Sequence, residues 1–223
     1  MKTVGLYLWQ NMTALDAVGP QQILGYVPDF DVITVAKTKD PVLTDTKLRL
    51  LPDYDLTTCP PLDILVVGGG ADPSGEMRDD EVMSWMRETG QSAEYVTSVC
   101  TGALLLAEAG LLDGHKATTH WAYTQQLASY PEIEVTRGRV VRDRNRITGG
   151  GVTAGIDFGF ALVSDLVGAE FAAVLQLMGE YDPQPPTPFG HPDNAPAEMV
   201  AAARAQFEQL APGLTEFLAT KRA

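Results

Sequence analysis

Tyr95-Val96-Thr97-Ser98-Val99-Cys100-Thr101-Gly102-Ala103-Leu104-Leu105-Leu106-Ala107 is the stretch that decides the fold. Its first five residues are β-branched, aromatic or small, and read as a buried strand. The residues from Gly102 onward read as a helix. Cys100 therefore stands at a sharp strand-to-helix corner, where helix-terminal N–H groups favour a thiolate. Such a corner is a nucleophile elbow with sulfur in place of a serine oxygen. Position alone leaves a second reading open, because free cysteines also pack in cores as small hydrophobes.

The flanking sequence repeats the strand-then-helix pattern. Val4 to Trp9 reads as a buried strand, followed by a loop carrying Asp16 and a helix to about Val27. Phe30 to Ala36 is a second strand, and Val42 to Leu51 alternates like a hairpin. Asp63 to Val67 is a strand ending in Gly68-Gly69-Gly70, and a helix follows over about Asp80 to Gly90. Beyond the elbow come a short strand at Ala117 to Thr119, a helix from Trp121 to Ser129 and a hairpin from Ile133 to Ile147 turning at Arg144-Asn145. A long apolar helix begins at Ala154 and breaks near Gly168. Residues 182–196 are Pro-rich and read as a surface excursion before a last helix over about Ala197 to Ala219.

Alternation of this kind indicates α/β architecture: a mostly parallel sheet sandwiched by helices, flavodoxin-like, in a single domain spanning 1–223. Sites in such sheets form beyond the carboxyl ends of the strands. If the strands are neighbours, Asp16, Gly68 to Gly70 and Cys100 converge at one rim.

The formal net charge is −13, from 29 acidic and 16 basic side chains. A surface that acidic repels nucleic-acid phosphates and anionic lipid, so neither is an expected partner. Cys59 and Cys100 are the only cysteines and do not make a disulfide framework. His115, His120 and His191 are scattered, so no metal-ligand spacing appears. No secretory leader or membrane-spanning run is visible, and a reducing cytoplasm is the expected compartment.

Each candidate carries two readings. Asp16 is an N-cap, or a carboxyl that hydrogen-bonds the sulfur and shuttles protons. The triple glycine is a tight turn, or a cradle of N–H groups for a developing charge; it lacks the spacing of a nucleotide site. His120 is a satisfied structural histidine or part of the site. Cys59, before Pro60-Pro61, reads as packing.

These segments resemble the ThiJ/PfpI superfamily, which has the class I glutamine-amidotransferase-like fold. The resemblance rests on Val96 to Ala103, Ala107 to Gly114 and Ala117-Thr118-Thr119-His120-Trp121. It extends to Leu15-Asp16 with Gly19-Pro20, Cys59 to Asp63 and Thr148 to Phe158. Aspartate at position 16 points to the isocyanide-hydrating branch. The resemblance implies a small isocyanide substrate, converted to an N-substituted formamide through a cysteine thioimidate. Cys100 would be the nucleophile, with Asp16 and Thr101 as catalytic partners and Gly69, Gly70 and His120 on the substrate. No cofactor or metal is implied, and a homodimer is. Alternatives are a glyoxalase- or deglycase-like activity on 2-oxoaldehydes, or an oxidative-stress sensor with an exposed thiol. AraC-type regulators share the Cys100 and His120 segments, but the charge and the lack of a sequence resembling a DNA-binding domain weigh against that class. His191-Pro192-Asp193 faintly resembles the His-Pro-Glu element of amidotransferases. The intracellular-peptidase branch has histidine after the nucleophile, where this chain has Thr101.

Overall fold

The computed structural model describes residues 1–221. Its strands are β1 (Lys2–Leu8), β2 (Phe30–Ala36), β3 (Val42–Leu43), β4 (Arg49–Leu50), β5 (Tyr54–Asp55), β6 (Ile64–Val67), β7 (Tyr95–Val99), β8 (Lys116–Ala117), β9 (Glu134–Val135), β10 (Val140–Asp143) and β11 (Arg146–Gly149). The helices are α1 (Ala14–Leu24), α2 (Ser74–Met77), α3 (Asp80–Ser92), α4 (Gly102–Glu108), α5 (Thr124–Leu127), α6 (Ala154–Leu166), α7 (Ala169–Met178), α8 (Ala197–Leu210) and α9 (Pro212–Lys221).

Seven strands form the central sheet in the order β10-β11-β7-β6-β1-β2-β5. All neighbouring pairs are parallel except β10 with β11. Helices cover both faces, which is why Ile64 to Val67 and Val96 to Val99 are buried without alternation. The strand order makes β1, β6 and β7 neighbours, so the loops after them meet at one rim, as the sequence suggested.

Two helices frame that rim. Helix α1 carries Asp16, and α6 begins just after Val152. They pack closely because Gly155 and Gly159 face Pro20 and Ile23: a Cβ on Gly159 would lie 2.9 Å from Ile23 Cβ. Gly155 and Gly159 thus fix how the carrier of Asp16 sits against the turn that approaches Cys100.

Several expected boundaries move. Asp16 lies inside the first turn of α1 and Thr13 holds the N-cap position, so Asp16 is not the cap. Helix α4 ends at Glu108, and Gly110 turns the chain out with φ +72°. The segment expected as one helix from Trp121 is a 3-10 turn, Trp121–Tyr123, followed by α5. The hairpin is confined to β10 and β11, turning at Arg144 with φ 55°, while β9 pairs in parallel with β8. The last helix is two. Ala211 precedes Pro212 and leaves the helical region at φ −124°, ψ 51°, as the proline ring demands. Gly168 breaks the α6–α7 run at φ 132°, as expected.

Candidate active site

Cys100 has φ 57°, a left-handed conformation that costs a side-chain-bearing residue energy and is held by its surroundings. Its N–H donates to the Gly150 carbonyl at 2.8 Å, and its carbonyl accepts the Thr119 hydroxyl at 2.8 Å. The turn tolerates only glycine at position 102, where a Cβ would sit 2.0 Å from the Val67 carbonyl oxygen. The sulfur faces the Asp16 carboxyl and the backbone N–H groups of Val152 and Thr101. Val152 itself has φ 20°, so both the residue that carries the sulfur and one that turns its N–H toward it are conformationally unusual.

Asp16 is fully buried. Its Oδ2 accepts the Gly69 N–H at 2.9 Å, and Oδ1 meets no N–H or O–H donor among the described residues. The side chain coupled to the carboxyl is the Cys100 thiol. Burial pushes Asp16 up to about 7, against the pull of the Gly69 N–H and the thiol. Burial, and then the Asp16 charge, push the Cys100 thiol well above its ordinary range, while the Val152 and Thr101 N–H groups pull it down. The helix-end dipoles are therefore outweighed, and the expected resting thiolate is replaced by a buried thiol–carboxyl pair poised to exchange a proton.

The glycine loop serves this pair. The Gly69 N–H goes to Asp16, and the Gly70 N–H, expected to face a substrate, goes instead to Thr101 Oγ1 at 2.8 Å. Thr101 returns a hydrogen bond to the Gly70 carbonyl at 2.6 Å. Both glycines are packed tight, since a Cβ on Gly69 would lie 2.4 Å from Thr101 N and one on Gly70 2.6 Å from Trp9. They reach the Cys100 elbow through their hydrogen bonds to Asp16 and Thr101.

His120 is near but not at the sulfur. Its Nδ1 accepts the Ala122 N–H at 3.2 Å, and its ring packs against Trp121, Tyr123 and Phe207. Burial lowers it to about 4, so it is neutral at physiological pH. His191 and Cys59 lie elsewhere: His191 caps the 3-10 turn Pro192–Asn194, and Cys59 is half-buried against Pro60. Sequence reasoning missed Val152 and Thr119, which touch Cys100 by backbone N–H and by hydroxyl. Their only signal was membership of the quoted segments. Among the described residues no His, Cys, Asp and Glu cluster could hold a metal ion, and no helix is long and apolar enough to cross a membrane.

Residues 2–165 match the DJ-1/PfpI family. The chain is 45% identical over 201 residues to an isonitrile hydratase from Pseudomonas putida, covering 90% of this chain and 88% of that one. It is 34% identical over 133 residues to the HTH-type transcriptional regulator CdhR of Pseudomonas aeruginosa, of which those residues are 39%. Among solved structures, a ThiJ/PfpI family protein from Pseudomonas syringae superposes with a TM-score of 0.92 at 40% identity, over 97% of this chain and 90% of that one. With the cysteine elbow and the parallel sheet already in place, these likenesses make the chain a member of the DJ-1/PfpI family.

Proposed function

We propose that the protein hydrates isocyanides, converting R–N≡C and water to the formamide R–NH–CHO. The observation that carries this reading is the buried Asp16–Cys100 pair, in a chain that shares 45% identity over nine-tenths of its length with an isonitrile hydratase. As Cys100 Sγ bonds to the terminal carbon, Asp16 takes the thiol proton and delivers it to that carbon, giving the thioimidate R–N=CH–S–Cys100. Asp16, again ionised, then removes a proton from water as the water oxygen adds to the same carbon, and passes that proton to the nitrogen, giving R–NH–CH(OH)–S–Cys100. The C–S bond breaks, the carbonyl forms, and the hydroxyl proton returns to sulfur. The Val152 and Thr101 N–H groups stabilise negative charge on sulfur as it leaves. A carboxyl poised near 7 suits both directions of transfer at neutral pH.

Thr101, Gly69 and Gly70 are positioning residues here, holding Asp16 and the elbow in register. An oxidation sensor needs an exposed thiol, and Cys100 is only 4% exposed. Homodimerisation, and a reducing compartment that keeps Cys100 a thiol, belong to the same proposal; sedimentation of the purified protein tests the dimer. The direct experiment is incubation with a simple alkyl isocyanide while formamide is followed by chromatography. Wild type should turn it over and Cys100→Ala should not. No product from reduced wild type would overturn the reading, and methylglyoxal consumption in its place would favour the 2-oxoaldehyde chemistry.

A further inference from the structure

A cavity of about 510 Å³ lies beside the elbow, outside the catalytic pair. One wall is the turn from Gly150 to Val152 together with Thr119. Those residues also touch Cys100, through the Val152 N–H at the sulfur and the Thr119 hydroxyl at the carbonyl. The cavity and the surroundings of the sulfur thus share Val152 and Thr119. The opposite wall comes from the Pro-rich segment, at Gly190 to Asp193, and from Arg204 of α8.

The charge of this lining is the reverse of the whole molecule. In a chain of net charge −13, three arginines (Arg137, Arg139 and Arg204) line the cavity against one carboxylate, Asp193. Two of the three are engaged. Arg139 is hydrogen-bonded to Asp157 through Nε at 2.6 Å, and Arg137 pairs with Asp193 at 3.6 Å. Arg204 forms no ion pair among the described residues. Its guanidinium lies 5.3 Å over the Trp121 ring and gives one long hydrogen bond, 3.4 Å, to the Ala122 carbonyl. Stacking on an indole fixes the plane of the fork while leaving most of its five donors unspent. His120, neutral in the same lining, adds no charge of its own. A planar, oriented, half-buried guanidinium without a carboxylate partner matches a carboxylate bidentately.

We propose that this cavity binds the substituent of the isocyanide, and that its preferred substrates carry a carboxylate on that substituent, seated on Arg204. The inference rests on the hydratase reading and names its substrate class. The Pro-rich excursion and α8 then form a specificity wall, which gives the segment around His191 a place in the enzyme.

The test uses two substrates of equal length, an isocyanide ending in a carboxylate and its methyl ester. In wild type kcat/KM should be about tenfold or more higher for the acid, with the difference in KM. In Arg204→Gln the acid-to-ester ratio should fall to about one, and Arg204→Lys should recover part of it; using the ratio cancels any general damage. A wild-type ratio at or below one, or a ratio unchanged by Arg204→Gln, overturns the proposal. If neither isocyanide is hydrated, the functional reading fails, and the subsite is judged separately by calorimetry. The N-formyl ω-amino carboxylate should bind Cys100→Ala about tenfold more tightly than the Cys100→Ala/Arg204→Gln double variant. Equal binding overturns the subsite.

Discussion

Thr101 Oγ1 is bonded twice to one residue, accepting the Gly70 N–H at 2.8 Å and donating to the Gly70 carbonyl at 2.6 Å. The hydroxyl is fully buried and acts as a clasp between the loop after β6 and the elbow after β7.

Thr101→Val keeps the shape but strands a buried donor and a buried acceptor, each costing about 1–3 kcal/mol. For a chain of this size that corresponds to a loss of roughly 5–15 °C in Tm. Because the same loop gives the Gly69 N–H to Asp16, kcat should fall as well. Thr101→Ser keeps the hydroxyl and should recover most of both quantities. Thermal melts and steady-state kinetics check this; an unchanged Tm in the valine variant would refute the clasp.

Gly102→Ala would place a methyl group 2.0 Å from the Val67 carbonyl oxygen, a backbone atom that cannot rotate away. Either β6 shifts or α4 tilts, at a cost at the upper end of the roughly 1–3 kcal/mol typical of overpacking. Urea unfolding should show a lower midpoint, and turnover should be lost because Cys100 moves with the turn. Wild-type stability in this variant would mean that the elbow is looser than its geometry shows.

Much of this was legible in the chain. The run Tyr95 to Ala107 announced the elbow because apolar period and helix start change at one residue, and the rim followed once strands and helices alternated. What stayed hidden depends on non-local pairing. Whether the Gly70 N–H faces a ligand or Thr101 is decided by a contact 31 residues distant, which no local pattern encodes. The same holds for β9, whose residues alternate like a hairpin arm yet pair with β8. The net charge of −13 also concealed a cavity of the opposite sign, because an average over the surface says nothing about where three arginines converge.

Asp16 should cost stability in exchange for activity. Its folded pKa is raised to about 7 from an ordinary 3.8, so between those values the folded state binds the extra proton. Stability from this group is present below pH 4 and is lost as pH rises through 7, by up to about 4 kcal/mol. Asp16→Asn removes the ionisation. It should match wild type near pH 4, exceed it by a few kcal/mol at pH 8 and lose about 100-fold or more in kcat. Urea titrations at the two pH values check it; wild type being the more stable at pH 8 would reverse the assigned sign.

His120 produces the opposite slope in an overlapping window. Burial lowers it to about 4 from 6.5, so between those values the unfolded chain binds the extra proton and stability falls as pH falls. Each group contributes a slope of about 1.4 kcal/mol per pH unit, with opposite signs, so between roughly pH 4.5 and 6 their effects nearly cancel. Removing one should expose the other. Asp16→Asn should lose stability on acidification through this window at nearly the full His120 slope, steeper than wild type by about 1.4 kcal/mol per unit. In the double variant Asp16→Asn/His120→Asn, where an amide oxygen can still accept the Ala122 N–H, that added slope should vanish. Urea midpoints measured every half unit of pH for the three proteins decide it. Parallel curves for wild type and Asp16→Asn would show that the two buried groups do not carry their protons as the packing around them requires.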